Sequence, residues 1–185
     1  MLRESFKTQI KLARLLSKKR TRLAINPSSY QAKQGSKYLQ PLLDLTSIII
    51  LNKEEAAELV GVDYRKTGDV FKVFDDLMEG VVVMTDGPNG VTVSDGRARY
   101  TAGIYREKEV VDRTGAGDAF GSGFVAGLTR CLGERNICEA ADIEYAIKLA
   151  SANATSVVEH IGAKEGILRK EEFPGKRWEE LGFHH

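Results

Sequence analysis

The chain has 185 residues, 42% hydrophobic and 29% charged, a balance that describes one soluble domain long enough to bury a real core. Its formal net charge of +1 gives no electrostatic case for a nucleic-acid partner, no apolar run reaches the length of a membrane span, and the first residues lack a signal-peptide pattern. The expectation is a cytoplasmic protein with neither nucleic acid nor membrane as a partner.

Phe6, Ile10, Ala13 and Leu16 recur at helical spacing, so residues 4–17 read as an amphipathic helix, and Lys18-Lys19-Arg20 reads as its solvated basic end. Residues 22–25 follow as a short strand, a candidate sheet edge, which Asn26-Pro27-Ser28-Ser29 breaks. Ser36 is placed to cap a helix that ends before Ser47. Residues 47–51, continuously apolar after Ser47, read as a parallel strand buried on both faces, and the strand, helix, strand alternation predicts an α/β layer sandwich.

Asn52-Lys53-Glu54-Glu55 follows at the carboxyl edge of that strand, where α/β proteins place ligands. Asn52 and Glu55, three apart, share a helix face; taken alone, a helix N-terminus with favourable acidic residues is the better reading. A helix over 69–78 presents Val70, Phe74 and Leu77, and a buried strand then enters Thr85-Asp86-Gly87-Pro88-Asn89-Gly90. That glycine-rich turn either aims backbone N–H groups at a phosphate or is a plain connection. Residues 91–94 and 97–100 flank Asp95-Gly96, a hairpin signal.

Asp112-Arg113-Thr114-Gly115-Ala116-Gly117-Asp118 lies between an expected strand, 107–111, and an expected apolar-faced helix, 119–132. Such a turn points free N–H groups and the positive end of a helix dipole at one spot and suits an anion. Asp118, a carboxylate beside an anion hole, suggests phosphoryl transfer to a hydroxyl. Phe120 stands where the third glycine of a dinucleotide fingerprint belongs, and no Gly-x-x-x-x-Gly-Lys-Ser/Thr occurs. The competing reading is a tight turn in which Asp118 merely complements the dipole. Residues 140–159 form a helix with a stripe of Ala146, Ile147, Ala150, Ala154 and Val157, and Gly162 lies just beyond it. Cys131 and Cys138, with no histidine pair to complete a zinc site, read as reduced thiols in or near the core. His160 reads as structural, and the terminal His184 and His185 are set aside.

Residues 112–120, followed by the small residues Gly121, Ser122 and Gly123, resemble the C-terminal signature of the ribokinase-like (PfkB) sugar and nucleoside kinases. The resemblance implies a three-layer α/β/α sandwich in which Asp118 is the catalytic base and Gly115, Ala116 and Gly117 form the anion hole. Arg113 departs from the small residue or threonine usual in the family. Asn52 and Glu55 match an Asn-x-x-Glu that sits near Mg²⁺ and the phosphates, which fits a hydrated ion needing few direct protein ligands. Thr85, Gly87 and Gly90 match a strand-end motif beside the nucleotide phosphates, and Asn153, otherwise an ordinary polar helix residue, matches a position near adenine. Asp112 and Thr114 match positions that help bind a monovalent cation, K⁺ being the one implied.

The ordered matches run from Asn52 through Gly162, with weaker similarity around Asn26-Pro27. They cover the C-terminal part of a family domain of about 300 residues and leave its N-terminal strands, lid and paired-glycine substrate motif without counterparts. Residues 1–185 are thus expected to be the nucleotide-binding and catalytic part of an ATP- and Mg²⁺-dependent kinase acting on a hydroxymethyl group of a sugar. The alternatives are a nucleoside kinase and a non-catalytic nucleotide-binding fragment or split-protein subunit. Self-association through the 22–25 edge, or pairing with a separate N-terminal half, is the partner expectation.

Overall fold

A computed structural model describes residues 2–132, 139–173 and 175–184. Two compact units are formed, Met1–Thr85 with Val93–Arg99, and Asp86–Thr92 with Tyr100–His185.

The first unit begins with α1 (Leu2–Lys18), an amphipathic helix that buries Phe6 and Ala13, with Phe6 stacked on Tyr38 at 4.4 Å between ring centroids. Three parallel strands follow one another in the sheet in chain order: β1 (Ala24–Ile25), β2 (Ile48–Asn52) and β3 (Val81–Thr85). Parallel neighbours need a crossover, supplied by α2 (Ser29–Ala32) and α3 (Ser36–Leu43), then by α4 (Lys53–Val60) and α5 (Thr67–Leu77). Ile48 through Leu51 are all buried, as their unbroken apolar run predicts, and Ile49 and Leu51 join Leu39, Leu59, Phe71 and Phe74 in one core cluster.

Local chemistry refines several expected boundaries. The strand over 22–25 contracts to Ala24–Ile25. Ser28 caps α2 through a box with Gln31, turning part of the expected break into a helical turn. Ser36 is the first residue of α3 and not its cap; Gly35, at φ 79°, holds the cap position without a side-chain bond. Asp95-Gly96 does turn, with Asp95 Oδ1 accepting from the N–H groups of Arg97 and Ala98. β4 occupies Val91–Ser94 as expected, while β5 is Arg99–Ala102, two residues later than expected, because Arg97 and Ala98 are spent on that turn.

In the second unit, β5 pairs antiparallel with β6 (Phe183–His184), Ala102 opposite Phe183 and Thr101 opposite His184. The unit is dominated by α6 (Ala116–Leu132) and α7 (Ala140–Val158). Gly123 faces Ala150 and Gly127 faces Ala146, so the helices run antiparallel along a seam of small residues. A Cβ on Gly127 would stand 2.6 Å from the Ala146 Cα. Gly127→Leu should therefore lower stability by roughly 1–3 kcal/mol through overpacking. An unchanged denaturation midpoint would show slack in the seam. Of the expected α7 stripe, Ala146, Ile147, Ala150 and Val157 are buried while Ala154 is only half-buried, and Asn153, Thr155 and Ser156 are buried as well. The expectation for Cys131 and Cys138 concerns side chains outside the described residues.

The strand expected over 107–111 does not form. That segment runs without helix or ladder, and the N–H groups of Val111 and Asp112 both donate to the Val158 carbonyl, at 2.8 and 3.2 Å. Val110 and Val111 favour extension, but Glu107, Lys108 and Glu109 do not, and the available acceptors belong to a helix end and not to a neighbouring strand.

Candidate functional site

In the first unit the structure brings Asn52, Glu55 and Thr85 together at the carboxyl ends of β2 and β3. Asn52 pairs in register with Thr85, whose hydroxyl donates to the Leu51 carbonyl at 3.4 Å. Asn52 is also the N-cap of α4: its Oδ1 accepts from the Glu55 N–H at 2.8 Å, and Glu55 Oε2 accepts from the Asn52 N–H at 3.3 Å. This reciprocal box satisfies two otherwise orphaned donors and is the helix-start reading of the pair. Glu55 Oε1 further accepts from the Ser29 hydroxyl at 2.6 Å, a partner that sequence spacing did not reveal.

Two of the roughly four lone-pair positions of the Glu55 carboxylate are thus occupied. The remainder suits acceptance from water bound to a divalent ion better than an inner-shell cage. Among the described residues no three His, Cys, Asp or Glu converge as metal ligands. That donor set fits Mg²⁺, which retains several waters and leans on substrate phosphates.

In the second unit, Gly87 opens a single 3₁₀ turn over Gly87–Asn89, closed by a bond from the Asp86 N–H to the Gly90 carbonyl at 2.8 Å. Gly90, at φ 96°, is buried, and a Cβ there would stand 2.0 Å from the Ala102 carbonyl oxygen. Its glycine is required by packing, whereas Gly87 is exposed with open space around it.

The 112–118 turn is held by Asp112. Its Oδ1 accepts from the Thr114 N–H at 2.9 Å and its Oδ2 from the Gly162 N–H at 3.1 Å. These bonds, Thr114 foremost, hold the Asp112 carboxyl below its ordinary value. The expected cation ligand is therefore first an organiser of the turn. Arg113, the departure from the family pattern, pairs with Glu107 at 3.5 Å.

α6 begins at Ala116, three residues earlier than expected, because Gly115 accepts from the Ala119 N–H at 2.8 Å and becomes its cap. One of the three N–H groups expected to face an anion is engaged within the turn. The Ala116 N–H is turned to the Arg113 carbonyl at 3.3 Å, while helix geometry leaves the Gly117 and Asp118 N–H groups without intrahelical acceptors. Asp118 itself is exposed on the first turn of α6.

Asn153 is buried, and both ends of its amide are engaged. Nδ2 donates to the Ala119 carbonyl at 2.8 Å and Oδ1 accepts from the Leu168 N–H at 3.0 Å. It clamps the 168 segment to the start of α6, and it lines a cavity of about 460 Å³ with Gly123, Tyr145, Leu149, Ile167 and Leu168. His160 bonds the Ser156 carbonyl at 2.8 Å, which matches its structural reading.

Comparison with solved structures defines the class. Ribokinase from Giardia lamblia superposes with a TM-score of 0.75 at 23% identity, over 88% of this chain and 53% of that one. Adenosine kinase from Sinorhizobium meliloti superposes with a TM-score of 0.71 at 23% identity, over 84% and 45%. The fold is that of the ribokinase-type α/β kinases, present in part.

Sequence comparison then gives the family. The pfkB family carbohydrate kinase pattern matches residues 4–170, and the chain belongs to that family. It is 34% identical to cytidine kinase from Thermococcus kodakarensis over 66% of this chain and 44% of the relative. It is 31% identical to ribokinase from Haemophilus influenzae over 88% and 50%. The chain thus spans about half the length of the curated relatives it matches. Among the described residues no helix is long and apolar enough to cross a membrane.

Proposed function

We propose that this chain is the nucleotide-binding and catalytic part of a kinase that transfers a phosphoryl group from ATP to a hydroxymethyl group of a sugar. The observation that carries the reading is an exposed carboxylate, Asp118, on the same helical turn as the Gly117 and Asp118 N–H groups that helix geometry leaves without acceptors. In this reading Asp118 accepts the proton of the attacking hydroxyl as the new O–P bond forms and the bond to the β-phosphate oxygen breaks. The two N–H groups and the N-terminal end of α6 stabilise the negative charge on the phosphoryl oxygens. Asn52 and Glu55 of the first unit would hold Mg²⁺, which when bound would supply charge neutralisation. The family resemblance gives a role toward the nucleotide phosphates to Thr85 in the first unit and, separately, to Gly87 and Gly90 in the second. The cavity beside Asn153 takes the adenine base, and Asn153 acts by keeping the 168 segment in place. Asp112 and Thr114 serve K⁺ dependence through the shape of the turn.

The family description supports a sugar acceptor. Resemblance to cytidine kinase favours a nucleoside as the second reading.

The chain alone should bind Mg·ADP or Mg·ATP weakly and have no appreciable kinase activity, since positioning of the acceptor can be worth about 7–11 kcal/mol of the barrier. Calorimetry with nucleotide, with and without Mg²⁺, checks the first part, and absence of heat at millimolar nucleotide would remove the reading. A coupled assay over many sugars and nucleosides checks the second. Repeating it with the sequence joined to a family-length N-terminal half separates sugar from nucleoside.

A further inference from the structure

Between β5 and α6 the chain runs through residues 103–115 without helix or strand, so its position depends on what accepts its N–H groups. The acceptors cluster at the end of α7. Val158 takes the N–H groups of Val111 and Asp112, and the Glu159 carboxylate takes that of Lys108 at 2.7 Å. Glu159 is nearly buried, its side chain 8% exposed, and Arg177 donates to it from both terminal guanidinium nitrogens, Nη1 at 2.9 Å.

Arg177 is fixed in turn. Its guanidinium lies over the Trp178 ring at 4.3 Å, and Nη2 reaches the Arg106 carbonyl at 3.4 Å. Tyr105 locks the Trp178 carbonyl with a 2.7 Å bond, and burial pushes its hydroxyl up to about 12, so it stays a donor. Burial also pushes the Glu159 carboxyl up, but the Arg177 and Lys108 bonds outweigh it and hold the group below its ordinary value.

The same helix end reaches the anion turn by two further contacts. Gly162 N–H donates to Asp112, which shapes the turn through Thr114. Gly115 packs so closely on Ala163 that a Cβ would stand 2.6 Å from the Ala163 Cα. Little slack separates the turn from residues 160–163, so a shift of the α7 end carries the turn with it.

We propose that the Glu159–Arg177 pair is a positioning device that fixes the 112–118 turn relative to α7 and thereby sets affinity for the phosphate end of the nucleotide. This rests on the nucleotide-binding reading above. Neither residue touches the reacting atoms.

The test is Glu159→Gln in the present chain, which keeps the volume and an acceptor for Lys108 but removes the charge. Amide exchange at Thr114 and Gly162 should accelerate about tenfold or more, as expected for losing a charged hydrogen bond, while Phe124 and Ile147 inside the helices are unmoved. Mg·ADP affinity should fall by about tenfold and adenosine affinity by less than about twofold. Acceleration confined to Lys108, or spread equally to Phe124 and Ile147, would overturn the proposal. So would equal losses for the two ligands. If the unaltered chain shows no Mg·ADP binding, the nucleotide reading fails and the exchange pattern alone decides whether the pair positions the turn. Arg177→Lys, which keeps the charge but loses the two-pronged contact, is read by the same pattern should the first variant not fold.

Discussion

Asp118→Asn should slow phosphoryl transfer by about 10²- to 10⁴-fold in a kinase of family length carrying this sequence, with Mg·ATP affinity little changed. The substitution is nearly isosteric and leaves the backbone N–H groups of α6 where they are. What it removes is the ability to take a proton from the acceptor hydroxyl. If Asp118 only complements the helix dipole, the cost is instead about 0.3–1 kcal/mol of stability with the rate preserved. Steady-state rates and a denaturation midpoint on the same variant separate the two, and a rate loss below about tenfold would sink the base assignment.

The second large effect comes from two glycines two residues apart. Gly115 has φ 83°, a left-handed conformation, and its missing side chain is the space Ala163 fills. Gly115→Ala pays strain of about 1–2 kcal/mol and must also push the turn off Ala163, so it should impair both stability and transfer. Displacement by about 1 Å can cost on the order of 10²-fold in rate.

Gly117 differs. Nothing lies within 4 Å of a Cβ placed there, and it sits in the first turn of a helix. Gly117→Ala should leave the midpoint unchanged or raise it, by up to about 1 kcal/mol of helix propensity. Its methyl group nevertheless occupies the open space beside the N–H groups proposed to meet the phosphoryl oxygens. Losing one such donor typically costs about 10²- to 10³-fold, and a comparable fall in transfer is expected. A Gly117→Ala enzyme of normal rate would mean that the phosphate does not approach this turn.

The sequence by itself determined the features whose cause lies within a few residues. Ile48 through Leu51 are buried because an unbroken apolar run has no polar face to show, and β2 forms where the run does. Asn52 and Glu55 stand three apart, the spacing at which a cap and its helix exchange hydrogen bonds. The glycines at 115 and 117 and the carboxylate at 118 announce a turn into a helix, and the family that they resemble is the one whose pattern matches residues 4–170.

Only the tertiary structure decided what depends on where the chain returns. Val110 and Val111 favour a strand, yet the acceptors for residues 108, 111 and 112 are Glu159 and Val158, some 50 positions away, so no ladder forms. Asn153 could be a ligand or a scaffold by sequence; its amide is spent on Ala119 and Leu168, 34 and 15 positions distant. Ser29 on Glu55, Ala163 under Gly115 and Arg177 on Glu159 leave no periodic trace either. Caps, turns and amphipathic faces follow from local geometry, whereas the choice among distant hydrogen-bond acceptors is made by packing and is encoded nowhere in local spacing.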